Sequence, residues 1–499
     1  MTPTAWLLAW RSLSDRPWRS AVLLLGYGVG VAVMIALLSI GEALLAQAQD
    51  RDLVAGGDLV LLPEGVDPAV LKVNGVTGLF LTIPHASFLV ERVLGGPRFS
   101  PEITAAAPEI HDRVVYLRVA GQIVPADASA GIPSLDRAAH VTQAVPDDTD
   151  QAADRAWRAP APDALFDRID HFHHATSLDR ATWAEWDYFN YIDPATGAYG
   201  YITVLAGGEG KGGILLRVVG ARGRGQPAPA PEDVVIPAEL SPDGISAQAA
   251  AQRIGPAQIH VEAGRYHVTI DDPRAHVNVW LTPAPGFYLP PAESAGGGVV
   301  SGYVVPVVRG WVDGEIRTPR TTLRLVRAPA YHDHNWGTWR GVTWEWGEAS
   351  GAGGALLYGS LHVAGDTLTA TGGRPPALFL WAPTGSGQGG LVGVFPITSL
   401  AYLGWHPGPV VAGRRTRAPG EVLIAAGEEG AAVTVRIRVR DALGSVPVSG
   451  PPGTAGRAAP PIRVFLQLRG RAEVRGTVDG RTIEWGGPAA AETFVMAGK

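Results

Sequence analysis

The chain is 499 residues long, with 64 glycines, 41 prolines and no cysteine, and only 18% of its residues are charged. A formal net charge of −6 gives no reason to expect a nucleic-acid partner. Without cysteine there are no disulfides, thiolate metal sites or cysteine nucleophiles, and the length allows two or three domains.

Residues 21–40 read AVLLLGYGVGVAVMIALLSI, without a charge. At about 1.5 Å per residue, a helix of this length covers roughly the 30 Å hydrocarbon core of a bilayer. Glu42 follows at once and the apolar pattern runs on through Leu45, which favours an uncleaved anchor over a signal peptide or a buried helix. Arg11, Arg16 and Arg19 precede the span, whereas Asp50, Arg51 and Asp52 after it are mixed. Excess arginine places the N-terminus in the cytoplasm, so the chain is expected to be single-pass with its remainder outside the cytoplasmic membrane.

Residues 51–160 form a mixed segment. Ala86 to Leu94 reads as a short amphipathic helix and Arg113 to Val119 as a strand. An acidic stretch from Pro146 and a Pro- and Ala-rich one to Ala164 read as a linker. Next comes Asp170-His171-Phe172-His173-His174, whose histidines lack defined ligand spacing and are read as a solvated loop.

Trp183 to Tyr191, a turn over Asp193 to Gly197, and Tyr199 to Val204 make a hairpin. Gly207 to Gly212 has the glycine density of a phosphate loop, but Leu205 and Gly212 stand where Gly and Ser or Thr are required, so it reads as a hairpin tip. Tyr266, Val268 and Ile270 alternate with polar residues, as do Val433, Val435 and Ile437; Asp479-Gly480 suits a type I′ turn. Short strands at this spacing predict antiparallel barrels or sandwiches.

The densest chemistry is Tyr331-His332-Asp333-His334-Asn335-Trp336-Gly337, followed by Trp344-Glu345-Trp346-Gly347. On a strand, His332 and His334 share one face and Tyr331, Asp333 and Asn335 the other. Three readings fit this spacing: polar groups satisfying strand backbone, a pocket for a mostly apolar ligand, and a His-x-His metal site needing a third, distant ligand.

Tyr-His-Asp-His-Asn-Trp-Gly followed by Trp-x-Trp-Gly resembles the signature of the carotenoid 1,2-hydratase/AttH superfamily, double lipocalin-like β-proteins. Glu185-Trp186-Asp187-Tyr188-Phe189-Asn190-Tyr191 is similar to a second marker of that superfamily, matching five of seven positions. The opening residues, Ala9-Trp10-Arg11-Ser12-Leu13, Arg16-Pro17 and Gly41-Glu42-Ala43-Leu44, with Gly57 to Pro63, resemble FtsX/MacB-type permease subunits of ABC transporters. No later apolar run reaches eighteen residues, so the other permease helices are missing.

The resemblance implies a mainly β chain: residues 1–50 as tail and transmembrane helix, 51–160 as permease-like segment and linker, 161–325 and 326–499 as two lipocalin-like units. It implies Asp333 as an acid with Tyr331 beside it. His332, His334, Asn335, Trp336, Trp344, Trp346, Trp186, Tyr188 and Asn190 are then the expected ligand-binding residues, with the indoles facing developing positive charge. Hydratases carry a His-x-Trp pair upstream, where this chain has Ser301-Gly302-Tyr303-Val304-Val305-Pro306. The expectation is therefore a membrane-anchored binder of a hydrophobic, isoprenoid or lipid-like molecule, associated with ABC transporter subunits. An alkene hydratase or cyclase and a structural transporter accessory are the alternatives. No metal or cofactor is expected.

Overall fold

The computed structural model describes residues 82–119, 122–141, 149–173, 182–222, 229–296, 299–338, 342–363, 376–446 and 462–497, with scattered positions before residue 62. Most of the span expected at residues 21–40 and of the strand at 57–63 lies outside the described residues. Among the described residues no helix is long and apolar enough to cross a membrane.

Two compact units result, residues 1–80 with 105–149, and residues 81–104 with 150–499. In the first, β1 (Ile110–Val119) and β2 (Gln122–Ala130) pair as an antiparallel hairpin, followed by a short helix, Pro133–Ala138.

The second unit opens with the helix Ile83–Phe88, which continues as a π-helical turn over Leu89–Leu94. The stretch read as a linker folds in part as two short helices, Ala152–Arg158 and Pro162–Ile169. Local chemistry explains both. The Asp154 carboxylate accepts from the Gln151 amide at 2.7 Å in a capping box, and Pro162 stands in a first turn where its missing N–H costs nothing. Phe166 and Ile169 of the second helix are buried in the core of the sheet that follows.

That sheet contains β3 (Trp183–Ile192), β4 (Tyr199–Gly207), β5 (Lys211–Val219), β6 (Glu232–Glu239), β7 (Gln252–Ile254) and β8 (Ala257–Glu262). It continues through β9 (Arg265–Asp272), β10 (Ala275–Pro283), β11 (Leu289–Gly296), β12 (Val299–Arg317) and β13 (Thr322–Thr338). The eleven strands run in the order β6-β5-β4-β3-β13-β12-β10-β9-β8-β7, with β11 against β12. The two edge strands are not hydrogen-bonded to each other, yet a side chain at Gly255, just after β7, would meet the Ala238 methyl of β6 at 2.7 Å. The sheet therefore curls until its edges touch, and Gly255, at φ +55°, fits where they meet.

The remaining strands close a true barrel, which has no edges to protect. It consists of β14 (Val342–Gly351), β15 (Gly354–Val363), β16 (Ala377–Pro383) and β17 (Gly389–Leu403), then, after a separate hairpin of β18 (His406–Val411) and β19 (Arg414–Ala418), β20 (Glu421–Glu428), β21 (Ala431–Ser445), β22 (Ile462–Val478) and β23 (Arg481–Ala497). β23 pairs with both β22 and β14, so the C-terminal strand completes the ring. Asp479 and Gly480 both have positive φ, 48° and 76°, as a type I′ turn requires. Val433, Val435 and Ile437 point into the barrel core, as their alternation predicts.

Two β-units therefore stand in tandem, but the boundary between them differs from the expected one at residues 325 and 326. β13, which carries the Tyr331 to Gly337 motif, lies between β3 and β12 in the first sheet. The second unit starts at β14. Pairing decides this, because β13 has a hydrogen-bonded partner on each side within the first sheet.

Candidate functional site

β13 and β3 run antiparallel with Asp333 opposite Tyr188, His334 opposite Asp187 and Trp336 opposite Glu185. Side chains alternate, so this one ribbon presents two chemically separate faces.

One face is the seam between the first sheet and the outer surface of the second barrel. There Tyr331 donates its hydroxyl proton to Asp333 Oδ2 at 2.7 Å, and Asn335 Nδ2 donates to Asp333 Oδ1 at 2.6 Å. The Trp346 indole N–H donates to the Tyr331 oxygen at 3.0 Å. From the first sheet, Asn190 Nδ2 donates to Glu348 Oε1 of β14 at 2.6 Å. From the second barrel, Arg469 Nη2 donates to the Tyr188 hydroxyl at 2.8 Å, and Gln467 Nε2 to Glu492 Oε1 at 3.1 Å. Trp344 donates its indole N–H to the other Glu492 oxygen at 2.9 Å.

Burial dominates the electrostatics of this seam. Asp333 is only 4% exposed, and removal from water pushes its carboxyl up to about 8, against the opposing hydrogen bond from Tyr331. Burial likewise raises Glu348 to about 7, although the Arg469 charge pulls the other way. The seam is thus a polar network of phenols, amides and carboxyls in which burial favours the neutral form of Asp333. At its edge, four partly exposed rings converge: Trp344 lies 6.4 Å from Trp186, 5.3 Å from Phe465 and 4.9 Å from Phe494. A cavity of about 20 Å³ beside Asn190, Tyr331 and Glu348 has room for about one water molecule. A second cavity of that size, inside the first sheet among Phe189, Ile202, Val268 and Leu281, is apolar.

The opposite face lies within the first sheet and holds a different cluster. His334 Nδ1 faces Asp170 Oδ1 at 2.8 Å and its Nε2 faces Glu185 Oε1 at 2.9 Å. His332 Nε2 faces Asp170 Oδ2 at 3.1 Å, while its Nδ1 lies 3.1 Å from the Tyr188 carbonyl oxygen, which fixes a proton on Nδ1. The Tyr266 hydroxyl donates to Asp170 Oδ2 at 2.6 Å. His173 Nδ1 lies 3.0 Å from Glu185 Oε1, and its backbone N–H donates to that same oxygen at 2.7 Å. Gln252 donates to Asp187. Phe189 stacks on His332 and Trp336 on His173, at ring separations of 4.0 and 3.6 Å.

Burial opposes the charge on Asp170, but the hydrogen bonds of His332 and His334 outweigh it and hold the carboxyl far below its usual range. Glu185 is lowered in the same way by His173 and His334, against burial. For Asp187 burial wins, and the carboxyl rises to about 7. His334 is raised despite burial by the charge of Asp187 and its bonds to Asp170 and Glu185.

Of the expected residues, the seam brings together Tyr331, Asp333, Asn335, Tyr188, Asn190, Trp346, Trp344 and Trp186. His332, His334 and Trp336 belong to the other face and cannot share a pocket with Asp333. The alternation that set the histidines apart from Asp333 also sets Trp336 apart, and its indole N–H donates to Glu293 at 2.8 Å instead. The histidine tract is not a solvated loop throughout: Phe172 is buried and His173 joins the buried cluster, while His174 lies outside the described residues. Glu185 and Asp187 stand within the second marker motif, but sequence reasoning gave them no role at the site. It missed Asp170, Glu348, Gln467, Arg469 and Glu492 because only tertiary packing brings them in.

Fold and site define a mainly β chain with a polar, aromatic-edged seam between a curled sheet and a closed barrel. No protein-family model matches the chain, and no curated protein matches it. Among solved structures it is similar to the crystal structure of kievitone hydratase from Nectria haematococca, at 10% identity and a TM-score of 0.37, over 65% of this chain and 94% of that one.

Proposed function

We propose that the chain is an AttH-like, double lipocalin-like protein that takes up a hydrophobic, isoprenoid or lipid-like small molecule at the seam around Asp333. The observation that carries the reading is the placement of a buried carboxyl, held by Tyr331 and Asn335, behind four partly exposed aromatic rings. Such an arrangement supplies an apolar entrance and a few polar groups to orient what enters. The cavity beside Asn190, Tyr331 and Glu348 is water-sized and is not lined by those four rings, so uptake requires the seam to open, with Trp186 of the first unit parting from Trp344 of the second.

A second reading is acid-catalysed hydration or cyclisation of an isoprenoid alkene. It is favoured by the burial of the Asp333 carboxyl beside Tyr331 and the Trp346 indole, a dry setting in which a proton is delivered to carbon rather than lost to water. The proposal also includes a single membrane span at residues 21–40 with the N-terminus in the cytoplasm, supported by Arg11, Arg16 and Arg19. Association with ABC transporter subunits is supported by the permease-like opening residues.

Native mass spectrometry of the full-length chain released from detergent, with extraction of whatever it carries, tests the reading. A stoichiometric apolar mass is expected. A chain that carries none and binds no member of an acyclic isoprenoid panel contradicts it.

A further inference from the structure

We propose that the buried cluster on the other face of β13 is a site for a divalent first-row transition metal, with His173, Glu185 and His334 as its ligands. His173 arrives on the segment after the helix Pro162–Ile169, Glu185 on β3 and His334 on β13, so three separate elements aim donors at one point. Their ligating atoms all lie within 4.8 Å of one another. His173 Nδ1 and His334 Nε2 stand 3.0 and 2.9 Å from the same Glu185 oxygen. In a tetrahedral zinc site with bonds near 2.1 Å, neighbouring donors lie about 3.4 Å apart, so each imidazole needs to draw back from the Glu185 oxygen by only about half an ångström.

Two imidazoles and one carboxylate suit zinc or iron(II), whereas the oxygen-rich shells of calcium and magnesium have no use for paired imidazoles. The surroundings are those a metal-binding histidine needs. Asp170 Oδ1 holds the second nitrogen of His334 at 2.8 Å and is itself held by His332 and Tyr266 through its other oxygen. Such carboxylate–histidine pairs fix the ring and raise its basicity toward a metal.

An independent observation points to a missing partner. Glu185 is fully buried, and its second oxygen, Oε2, has no hydrogen bond among the described residues. A buried carboxylate oxygen without a donor is costly, and a cation beside the group removes the cost. The site uses neither Asp333 nor the seam, so its failure and the failure of the binding proposal are separate results.

The test uses the full-length chain without a histidine tag, stripped with chelator and titrated with Co²⁺. One equivalent is expected, with visible ligand-field bands that Zn²⁺ abolishes. Glu185→Gln and His173→Gln lose these bands while their β circular-dichroism spectrum is unchanged, whereas His171→Gln keeps them. His332→Gln weakens affinity by about 10- to 100-fold, as loss of an outer partner does. If a ligand variant fails to fold, the wild type still decides the matter, because bound Zn²⁺ raises its melting temperature. No uptake by stripped wild type, or equal uptake by folded Glu185→Gln and His173→Gln, overturns the proposal.

Discussion

Arg469 on β22 donates to the Tyr188 hydroxyl on β3 across 2.8 Å, and both side chains are buried between the two β-units. The bond joins a residue opposite Asp333 to the outer wall of the second barrel, with Glu348 nearby sensing the same guanidinium charge. Removing Arg469 leaves buried carboxyls without their cation.

Arg469→Ala is therefore expected to destabilise the chain by about 3–5 kcal/mol, the range for breaking one side of a buried charge network. Tyr188→Phe removes only the acceptor and is expected to cost about 1–2 kcal/mol. Urea unfolding of both variants and the double variant measures this, and the two effects should not add. Losses below about 0.5 kcal/mol for both would mean that water replaces the contact.

Stability should also depend on pH through Glu348. Its folded value of about 7 lies above that of an unfolded glutamate, so the folded state holds the proton more tightly. The stability this contributes is complete below the unfolded value and is lost as pH rises through about 7, roughly 3 kcal/mol in all. Glu348→Gln keeps an acceptor for Asn190 and cannot ionise. Thermal melts between about pH 5 and pH 8 should show a shallower decline in the variant than in wild type. Equal slopes would remove Glu348 from the account.

Gly302 occupies the stretch where the hydratase-like pattern calls for a His-x-Trp pair. In this chain a side chain there would strike the Trp336 indole, with ring atoms 2.0 to 2.4 Å from a Cβ. Gly302→Ala is expected to cost about 1–3 kcal/mol through overpacking. Denaturant midpoints measure the loss, and an unchanged midpoint would show that the Trp336 ring moves aside.

The proposed membrane topology makes its own prediction. Alkaline phosphatase fused after Lys499 should be active in a bacterial host, because export is needed for its activity. An inactive fusion, with a cytoplasmic reporter fluorescing at the same position, would reverse the orientation.

Much of the fold was legible because strands announce themselves locally. The alternation of Val433, Val435 and Ile437, and the Asp479-Gly480 turn, depend on neighbours within a few positions. Alternation also separated His332 and His334 from Tyr331, Asp333 and Asn335. The family resemblance groups Trp336 with Asp333, whereas the strand period sets it on the histidine face. The unit boundary was not legible, since whether β13 pairs with β3 or with β14 is a long-range choice. Asp170 lies 162 residues from His332 along the chain, and no local pattern signals that contact.

Replacing Asp333 decides whether the seam binds a ligand through this carboxyl. Asp333→Asn keeps the shape of the side chain and an oxygen that accepts from Tyr331, but puts an amide NH2 where Oδ1 accepts from Asn335. Wild type and variant are titrated in detergent with a panel of acyclic isoprenoids, followed by tryptophan fluorescence, with the mixtures analysed by chromatography and mass spectrometry. Saturable binding by wild type is expected, weakened in the variant by about 1–3 kcal/mol, with no product from either protein. A wild-type product heavier by one water, or a cyclised isomer, that the variant fails to make would move the assignment to acid catalysis. Equal affinity in both proteins, or no binding by wild type, would contradict the claim that Asp333 lies in the binding site.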